Sequence, residues 1–197
     1  MSALKFVFCE GGDDEAVLHG VAQSIQLAHL RIERFLGKDK LRDFLAAAQR
    51  RPEFAQKQVA SLAVVRDADD DGAAAFQSVR DALRANGFPV PDQNGSFATG
   101  ELKVGVLVIG PNGGRGMIED LCLQSVSDRP EFGCVDEYFR CIAAKSARAT
   151  FTSKAKVRVW MASYSDYEFH VGKAAEAGYW PWENPAFVEI KRFLREM

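Results

Sequence analysis

The sequence predicts an α/β fold in which a mainly parallel sheet of about four strands has helices on both faces. Short apolar runs typical of strands alternate along the chain with segments of helical periodicity. The runs Val59–Val65 and Val104–Ile109 are almost continuously apolar, as in parallel strands that are covered on both faces. Polar and glycine-containing segments follow these runs and place a turn, then a helix, after each strand.

Three strands and three helices are predicted in the first half of the chain. Helical periodicity follows the first strand, and Lys40–Arg50 has apolar residues on one helical face. A further helix, from about Ala73 to Ala85, ends at Asn86 and Gly87, a common C-terminal cap. The strand-like runs are Leu4–Cys9, Leu27–Phe35 and Val59–Val65.

The second half begins with a turn-rich loop or small hairpin, Pro89–Gly100, before the strand Val104–Ile109. The glycine-rich loop Gly110–Gly116 then leads into a helix that carries Ile118. We expect residues 1–128 to form the α/β core and residues 129–197 a helical, aromatic-rich subdomain packed on it, within one structural domain. The later elements are a helix over Glu131–Ala147, a short segment Lys156–Met161, and a last helix that begins at Asn184 and Pro185.

Composition limits the classes of protein that the chain can represent. Its 197 residues, 47% hydrophobic and 26% charged, suit a globular domain and exclude intrinsic disorder. The net charge of −2 means that a nucleic-acid partner would have to bind a local basic patch or metal ions. The four cysteines have no zinc-ligand spacing and are expected to be buried thiols. Neither a signal sequence nor a membrane-spanning run is found, which favours a cytoplasmic protein with no membrane partner.

Carboxylates cluster after the predicted strands. Because the carboxyl ends of parallel strands lie at one edge of a sheet, these side chains are expected to meet there. Carboxylates that repel one another are stabilised by a divalent cation, and Mg²⁺ prefers carboxylate and water oxygens. If the chain stays extended past the third strand, Asp67, Asp69 and Asp71 project to the same side. The clusters are Glu10, Asp13, Asp14 and Glu15 after the first strand, Asp67, Asp69, Asp70 and Asp71 after the third, and Glu119 and Asp120 after the fourth.

Two other interpretations of these acids have a physical basis. Acidic residues at a helix start stabilise the helix without any ligand, which is sufficient for residues 13–15 taken alone. The DxDxDG run at residues 67–72 copies the first half of an EF-hand loop, but Ser78 stands where that loop needs glutamate, so calcium sensing is disfavoured. Glu10, Asp67 and Asp69 lie at the ends of buried strands, where charges rarely lack a partner, and this favours a metal site.

The acidic motifs together resemble the Toprim domain of topoisomerases, bacterial primases, recombination proteins and the overcoming-lysogenisation-defect nucleases. The resemblance lies in Glu10-Gly11 with Asp14 after a first strand, and in the DxDxD run after a later strand. Most of the chain, including a late Gly-Tyr-Trp segment, is also similar to stand-alone Toprim-like proteins.

That resemblance implies a Rossmann-like fold and Mg²⁺- or Mn²⁺-dependent chemistry on a phosphodiester bond. It implies that Glu10, Asp67 and Asp69 are catalytic, with Glu10 as general acid/base or metal ligand. Two metal ions can activate a water and stabilise the leaving oxygen, which explains why such a site needs several carboxylates and no histidine. The candidate metal ligands are Glu10, Asp14, Asp67, Asp69, Asp71, Glu119 and Asp120.

A second charge cluster is basic. No acid stands between Glu137 and Asp166, so this stretch offers either a surface for a nucleic-acid backbone or an ordinary basic helix face. Lys145 or Lys154 is also a candidate for stabilising transition-state charge, as a lysine does in the related nucleases. Arg115, in a loop that fails the Walker pattern, is a further phosphate-binding candidate. The basic residues of the stretch are Arg140, Lys145, Arg148, Lys154, Lys156 and Arg158.

These observations favour a metal-dependent, nuclease-like protein that acts on nucleic acid. The short chain has no recognisable topoisomerase, zinc-binding or helicase module, which disfavours strand passage and priming. The alternative is a non-catalytic Toprim-like interaction or regulatory subunit with an ATPase as partner. Phosphoryl transfer on a small nucleotide is a third interpretation, and it predicts a closed pocket instead of a groove.

Overall fold

A five-stranded mixed sheet forms the centre of the fold in the computed structural model, which describes residues 4–110, 114–146, 152–164 and 170–197. The strands are β1 (Leu4–Cys9), β2 (Leu30–Arg34), β3 (Val59–Asp67), β4 (Ser96–Ala98) and β5 (Lys103–Ile109). Their order is β2-β1-β3-β5-β4; the first four are parallel, and β4 runs antiparallel to β5. This confirms the predicted α/β fold with a mainly parallel sheet.

Helices cover both faces of the sheet, as the continuous apolar runs predicted. One face packs against α1 and α5–α9, and we call this side the first layer; the other packs against α2–α4, the second layer. The helices are α1 (Gly12–Ser24), α2 (Leu41–Gln49), α3 (Pro52–Ala55), α4 (Gly72–Ala85), α5 (Ile118–Val126), α6 (Gly133–Lys145), α7 (Ser153–Met161), α8 (Val171–Glu176) and α9 (Val188–Glu196).

The alternation of side chains along the strands decides which layer each strand-end residue faces. In β3, Val65 packs in the core of the first layer and Val64 in that of the second. Successive side chains of a strand point to opposite faces, so Arg66 belongs to the second layer and Asp67 to the first. These two residues end the central strand at the edge where the predicted site lies.

Several element boundaries differ from the sequence prediction. The central strand β3 extends two residues beyond the predicted end at Val65. Strand β2 begins at Leu30 instead of Leu27, because His29 has a left-handed backbone with φ of 59°. The segment Lys156–Met161 is the second part of helix α7.

The expectation of four buried thiols is wrong for two cysteines. All four are free thiols; Cys9 and Cys122 are buried, whereas Cys134 and Cys141 are exposed. The reason is helical geometry, because α6 turns Val135 inward and leaves residues 134 and 141, seven apart, on its outer side.

Residues beyond 128 share the core of the first layer with the sheet. Phe193 of α9 and Trp160 of α7 are buried in the same cluster as Val7 of β1. Trp182 lies directly over Gly20 of α1, where an added Cβ would come within 2.3 Å of the indole ring. The division into a core of residues 1–128 and a subdomain of residues 129–197 stays a prediction. Among the helices of the described ranges, none has both the length and the apolarity to cross a membrane.

Candidate functional site

Carboxylates from three elements come together at the carboxyl end of the parallel strands. Asp67 is the last residue of β3, Asp14 lies in the first turn of α1, and Glu119 lies in the first turn of α5. We call these three side chains the carboxylate triad. Asp14 and Glu119 are only 7% and 3% exposed, and Asp67 is partly buried.

Backbone N–H groups hold one oxygen of each aspartate in the triad. The N–H of Gly11 donates to Asp14 Oδ2 at 2.7 Å, and the N–H of Ile118 donates to Asp67 Oδ1 at 2.8 Å. The second of these bonds ties the end of β3 to the start of α5. Each carboxylate is thereby oriented through one oxygen, and its other oxygen is left for a further ligand.

Glu119 has a buried oxygen without a partner. Its Oε1 lies 3.8 Å from Lys154 Nζ, whereas its Oε2 is buried and accepts no hydrogen bond from the residues that the structure describes. An unsatisfied buried carboxylate oxygen is costly, and native proteins rarely retain one without a functional reason. This oxygen therefore fits a cation ligand.

The triad is electrostatically strained without a cation. Burial, and then the charges of Asp14 and Glu119, raise the pKa of Asp67 to about 9. Burial also raises the pKa of Asp14 to about 6, opposed by the Gly11 hydrogen bond, and burial raises the pKa of Glu119. Burial and mutual repulsion favour the protonated form of these carboxyl groups. A divalent cation bound between them would favour the ionised form.

A second group of charges lies on the opposite side of the sheet edge. Glu10 follows β1, and its Oε2 is 3.7 Å from Nε of Arg66, a guanidinium that is 7% exposed. Arg66 also contacts Ser78 Oγ at 3.4 Å. Asp69 and Glu10 line the same groove, which has a volume of about 320 Å³. Glu10 and Asp69 therefore form a second acidic group beside the triad, close enough for the charge of Glu10 to contribute to the raised pKa of Asp14 and that of Asp69 to the raised pKa of Asp67.

The extended conformation expected for residues 67–71 does not form. The strand ends at Asp67, and Asp69 takes a left-handed backbone with φ of 50°. A pair of backbone hydrogen bonds joins Asp69 to Gly116 of the glycine-rich loop. Asp71 caps α4 by accepting from the N–H of Ala74 at 3.0 Å. Asp67, Asp69 and Asp71 thus have three different surroundings, and a metal-binding role for Asp69 and Asp71 stays a prediction.

Two further acids join helices at this edge. Asp120 Oδ2 accepts from the N–H of Met117 at 2.8 Å, and its Oδ1 accepts a hydrogen bond from Ser153 Oγ at the start of α7. Asp13 Oδ1 accepts from the N–H of Gly172 at 3.0 Å, which links α1 to α8. Both contacts hold first-layer helices around the triad.

The predicted basic block does not face the acidic edge as a unit. Lys154 reaches Glu119, but Lys156 pairs with Asp136 at 2.6 Å. Arg115 pairs with Asp70 at 3.4 Å. Lys145 and Arg158 are exposed on α6 and α7, and Arg148 lies outside the described residues. Among the described members of the block, Lys154 is the one that pairs with a carboxylate of the triad.

The described side chains do not form a ready metal cage. In residues 4–110, 114–146, 152–164 and 170–197, no three His, Cys, Asp or Glu side chains are arranged to hold a metal ion. Binding an ion at the triad would therefore require side-chain rotation. Because Asp14 and Asp67 each accept their backbone N–H through one oxygen, the other oxygen can contact an ion while the helix and strand ends stay intact.

Comparison with known proteins identifies the family. The profile of the family described as "Protein of unknown function (DUF3226)" matches residues 4–197. The chain belongs to this family. No curated protein matches the DUF3226 chain. The C-terminal region of the OLD protein of Xanthomonas campestris pv. campestris is similar in structure, with a TM-score of 0.51 and 9% identity over 98% of this chain and 93% of that chain. At this identity, the likeness is one of fold.

Some residues of the DUF3226 site were not predicted from sequence. Arg66 is one of them, although a charged residue directly after an apolar strand run is itself a signal of a buried ion pair. Ser153 and Asp13 make contacts between distant segments, for which the sequence contains no local signal. Lys38 and Lys40 line the groove beside Glu10, and a basic pair next to a predicted glycine turn was the available signal.

Proposed function

We propose that this protein hydrolyses phosphodiester bonds of nucleic acid with a divalent metal ion, Mg²⁺ or Mn²⁺, bound at the carboxylate triad. The observation that carries the proposal is that Asp14, Asp67 and Glu119, from three separate elements, lie close enough for the charge of Glu119 to raise the pKa of both aspartates, and that Glu119 has a buried oxygen without a hydrogen-bond partner among the described residues. Carboxylate oxygens are the donors that these ions prefer. The resemblance of the acidic motifs to Toprim domains and the likeness of fold to an OLD protein support the same chemistry.

The residues around the triad have distinct roles in this proposal. Asp14, Asp67 and Glu119 hold the ion, which supplies charge neutralisation and a bound water of lowered pKa. Gly11 N–H and Ile118 N–H fix the carboxylates of Asp14 and Asp67. Lys154, beside Glu119, balances negative charge that develops on the phosphate. Glu10, held near Arg66 on the other side of the edge, accepts or donates the proton.

Glu119→Gln tests the proposal because glutamine keeps the size of the side chain and removes its charge. We expect this variant to cleave plasmid DNA and labelled oligonucleotides at least about a hundredfold more slowly than the wild type in Mg²⁺ or Mn²⁺. Glu101→Gln is the matched control, since that side chain is 82% exposed and pairs with Lys57. Equal cleavage by wild type and both variants would assign the activity to another site or to a contaminating nuclease.

A non-catalytic interaction or regulatory subunit, with an ATPase as a partner, is the second candidate. It is favoured by one observation: Asp14, Asp67, Asp71 and Asp120 all accept backbone hydrogen bonds at element ends, a purely structural use of carboxylates. This candidate predicts no metal-dependent cleavage by the wild type and no heat of binding when Mg²⁺ or Mn²⁺ is titrated into the protein.

A further inference from the structure

A polar groove leads away from Glu10 and Asp69 across the second layer. It consists of two adjoining cavities of about 320 and about 550 Å³, which share Lys38 and Asp39. The first cavity contains Glu10 and Asp69, and the second lies between the start of α2 and the side of α4. The groove therefore connects the acidic edge with a surface beyond the sheet.

Three cations on one short segment line this groove. Lys38 and Lys40 belong to a 3-10 turn that precedes α2, and Arg42 follows in the first turn of α2. All three are exposed, and none takes part in an ion pair with the residues that the structure describes. Asp39 is the acid within residues 38–42, so the segment keeps an excess of positive charge, and Asp81, which lines the second cavity, pairs with Arg84.

The backbone fixes this basic segment relative to the acidic edge. The N–H of Leu36 donates to the carbonyl of Glu10 at 3.1 Å. Leu36 and Gly37 then have left-handed backbones, with φ of 59° and 113°, which turn the chain sharply into the 3-10 turn. Leu36 is 71% exposed at the mouth of the first cavity, where it offers an apolar surface next to Glu10.

Three of the cations predicted to bind phosphate are already engaged in ion pairs, in contrast to this segment. Lys154, Lys156 and Arg115 pair with Glu119, Asp136 and Asp70. Unpaired cations gain more from a phosphate than paired ones, because no existing ion pair has to be broken. Among the described residues, Lys38 and Lys40 thus bring unpaired positive charge next to Glu10 and Asp69.

We propose that a nucleic-acid strand enters along this groove, with Lys38, Lys40 and Arg42 binding successive phosphates and Leu36 contacting a base beside Glu10. This inference rests on the proposed function and names the path of its substrate. Three cations spread over two joined cavities fit a chain of phosphates, whereas a mononucleotide would need only one of them. Phosphate contacts of this kind are independent of base sequence.

The test is the binding of fluorescent single-stranded oligonucleotides to the triple variant Lys38→Ala/Lys40→Ala/Arg42→Ala, with Ca²⁺ in place of Mg²⁺ to suppress cleavage. We expect the Kd to rise at least about tenfold at low salt. The slope of the logarithm of the binding constant against the logarithm of the salt concentration is expected to become less steep by about 2, because each of the three lost phosphate contacts contributes about 0.7. The matched control is Arg50→Ala/Lys57→Ala/Arg195→Ala, three exposed cations outside the groove, which is expected to bind like the wild type.

The outcomes separate this inference from the proposed function. If the groove variant binds oligonucleotide with the Kd and salt slope of the wild type, the inference is wrong even where cleavage occurs. Competition by inorganic phosphate or a mononucleotide as effective as unlabelled oligonucleotide also overturns it. Weakened binding by the groove variant alone supports the inference, even if Glu119→Gln and the wild type prove equally inactive and the proposed function fails.

Discussion

Replacement of Asp67 with asparagine is expected to abolish metal-dependent cleavage and to make the metal-free protein more stable at pH 7. Cleavage is lost because the amide is a poor ligand for Mg²⁺ and carries no charge. Stability rises because the ordinary pKa of Asp67, 3.8, is raised to about 9 by burial and by Asp14 and Glu119, so folding at pH 7 requires it to take up a proton. Asparagine removes that cost and keeps an oxygen that accepts from Ile118 N–H.

The expected gain in the free energy of unfolding is about 2 kcal/mol. A pKa shift of one unit in a single group corresponds to about 1.4 kcal/mol. Because Asp67 is partly exposed, solvent screening reduces the contribution of its shift to the free energy of unfolding. Urea denaturation in EDTA measures the gain, and nuclease assays in Mn²⁺ measure the loss of cleavage. Asp92→Asn, with a side chain that is 95% exposed, is the control and is expected to change neither quantity. A folded Asp67→Asn protein that still cleaves, or that is less stable than the wild type, contradicts the role given to Asp67.

The metal-free protein is expected to lose stability as the pH rises from about 5 to about 9. In the unfolded chain, Asp14 and Asp67 have the ordinary pKa of 3.8 and have released their protons in this interval. In the folded protein, the pKa of Asp14 is about 6 and that of Asp67 about 9, so each residue keeps its proton up to a higher pH. The unfolded state therefore binds fewer protons, and stability falls with pH, by up to about 1.4 kcal/mol per unit for Asp67.

A divalent ion is expected to reverse this trend. Mg²⁺ or Mn²⁺ displaces the protons of the triad, so its stabilising effect grows with pH. Unfolding curves at half-unit pH steps, with EDTA and with excess Mn²⁺, measure both slopes, and Asp67→Asn is expected to flatten the EDTA slope. A metal-free stability that rises between pH 6 and 9 would show that the triad carboxyls do not retain protons in the folded protein.

The elements of the sheet were predictable because their signals are local. The run from Val59 is apolar long enough to mark a buried central strand, and the acids that follow it had to lie at the sheet edge. Asp67 and Glu119 were found in this way. Asn184, predicted to begin the last helix, caps the 3-10 turn Pro185–Phe187 that leads into α9, and its side chain accepts from the N–H of Ala186 at 2.9 Å.

The arrangement inside the site was not predictable, because it depends on where a strand ends to within one residue. Two further residues in β3 set Arg66 and Asp67 on opposite faces of the sheet and divide the acids into two groups. The left-handed backbone at Asp69 depends on its pairing with Gly116, a contact between segments far apart in sequence. Lys38 and Lys40 gain their importance from the fold of the loop after β2, which brings them next to Glu10.

The most direct measurement is a crystal structure of the protein soaked in Mn²⁺, with anomalous diffraction data collected at the manganese edge. We expect an anomalous peak at the carboxyl end of β3, within ligand distance of Asp67 and Glu119, with Asp14 as the third carboxylate. The peak is expected to be absent from Asp67→Asn crystals soaked in the same way. A soaked wild-type crystal without a peak at this edge, or with manganese bound only elsewhere, would contradict the proposed metal site.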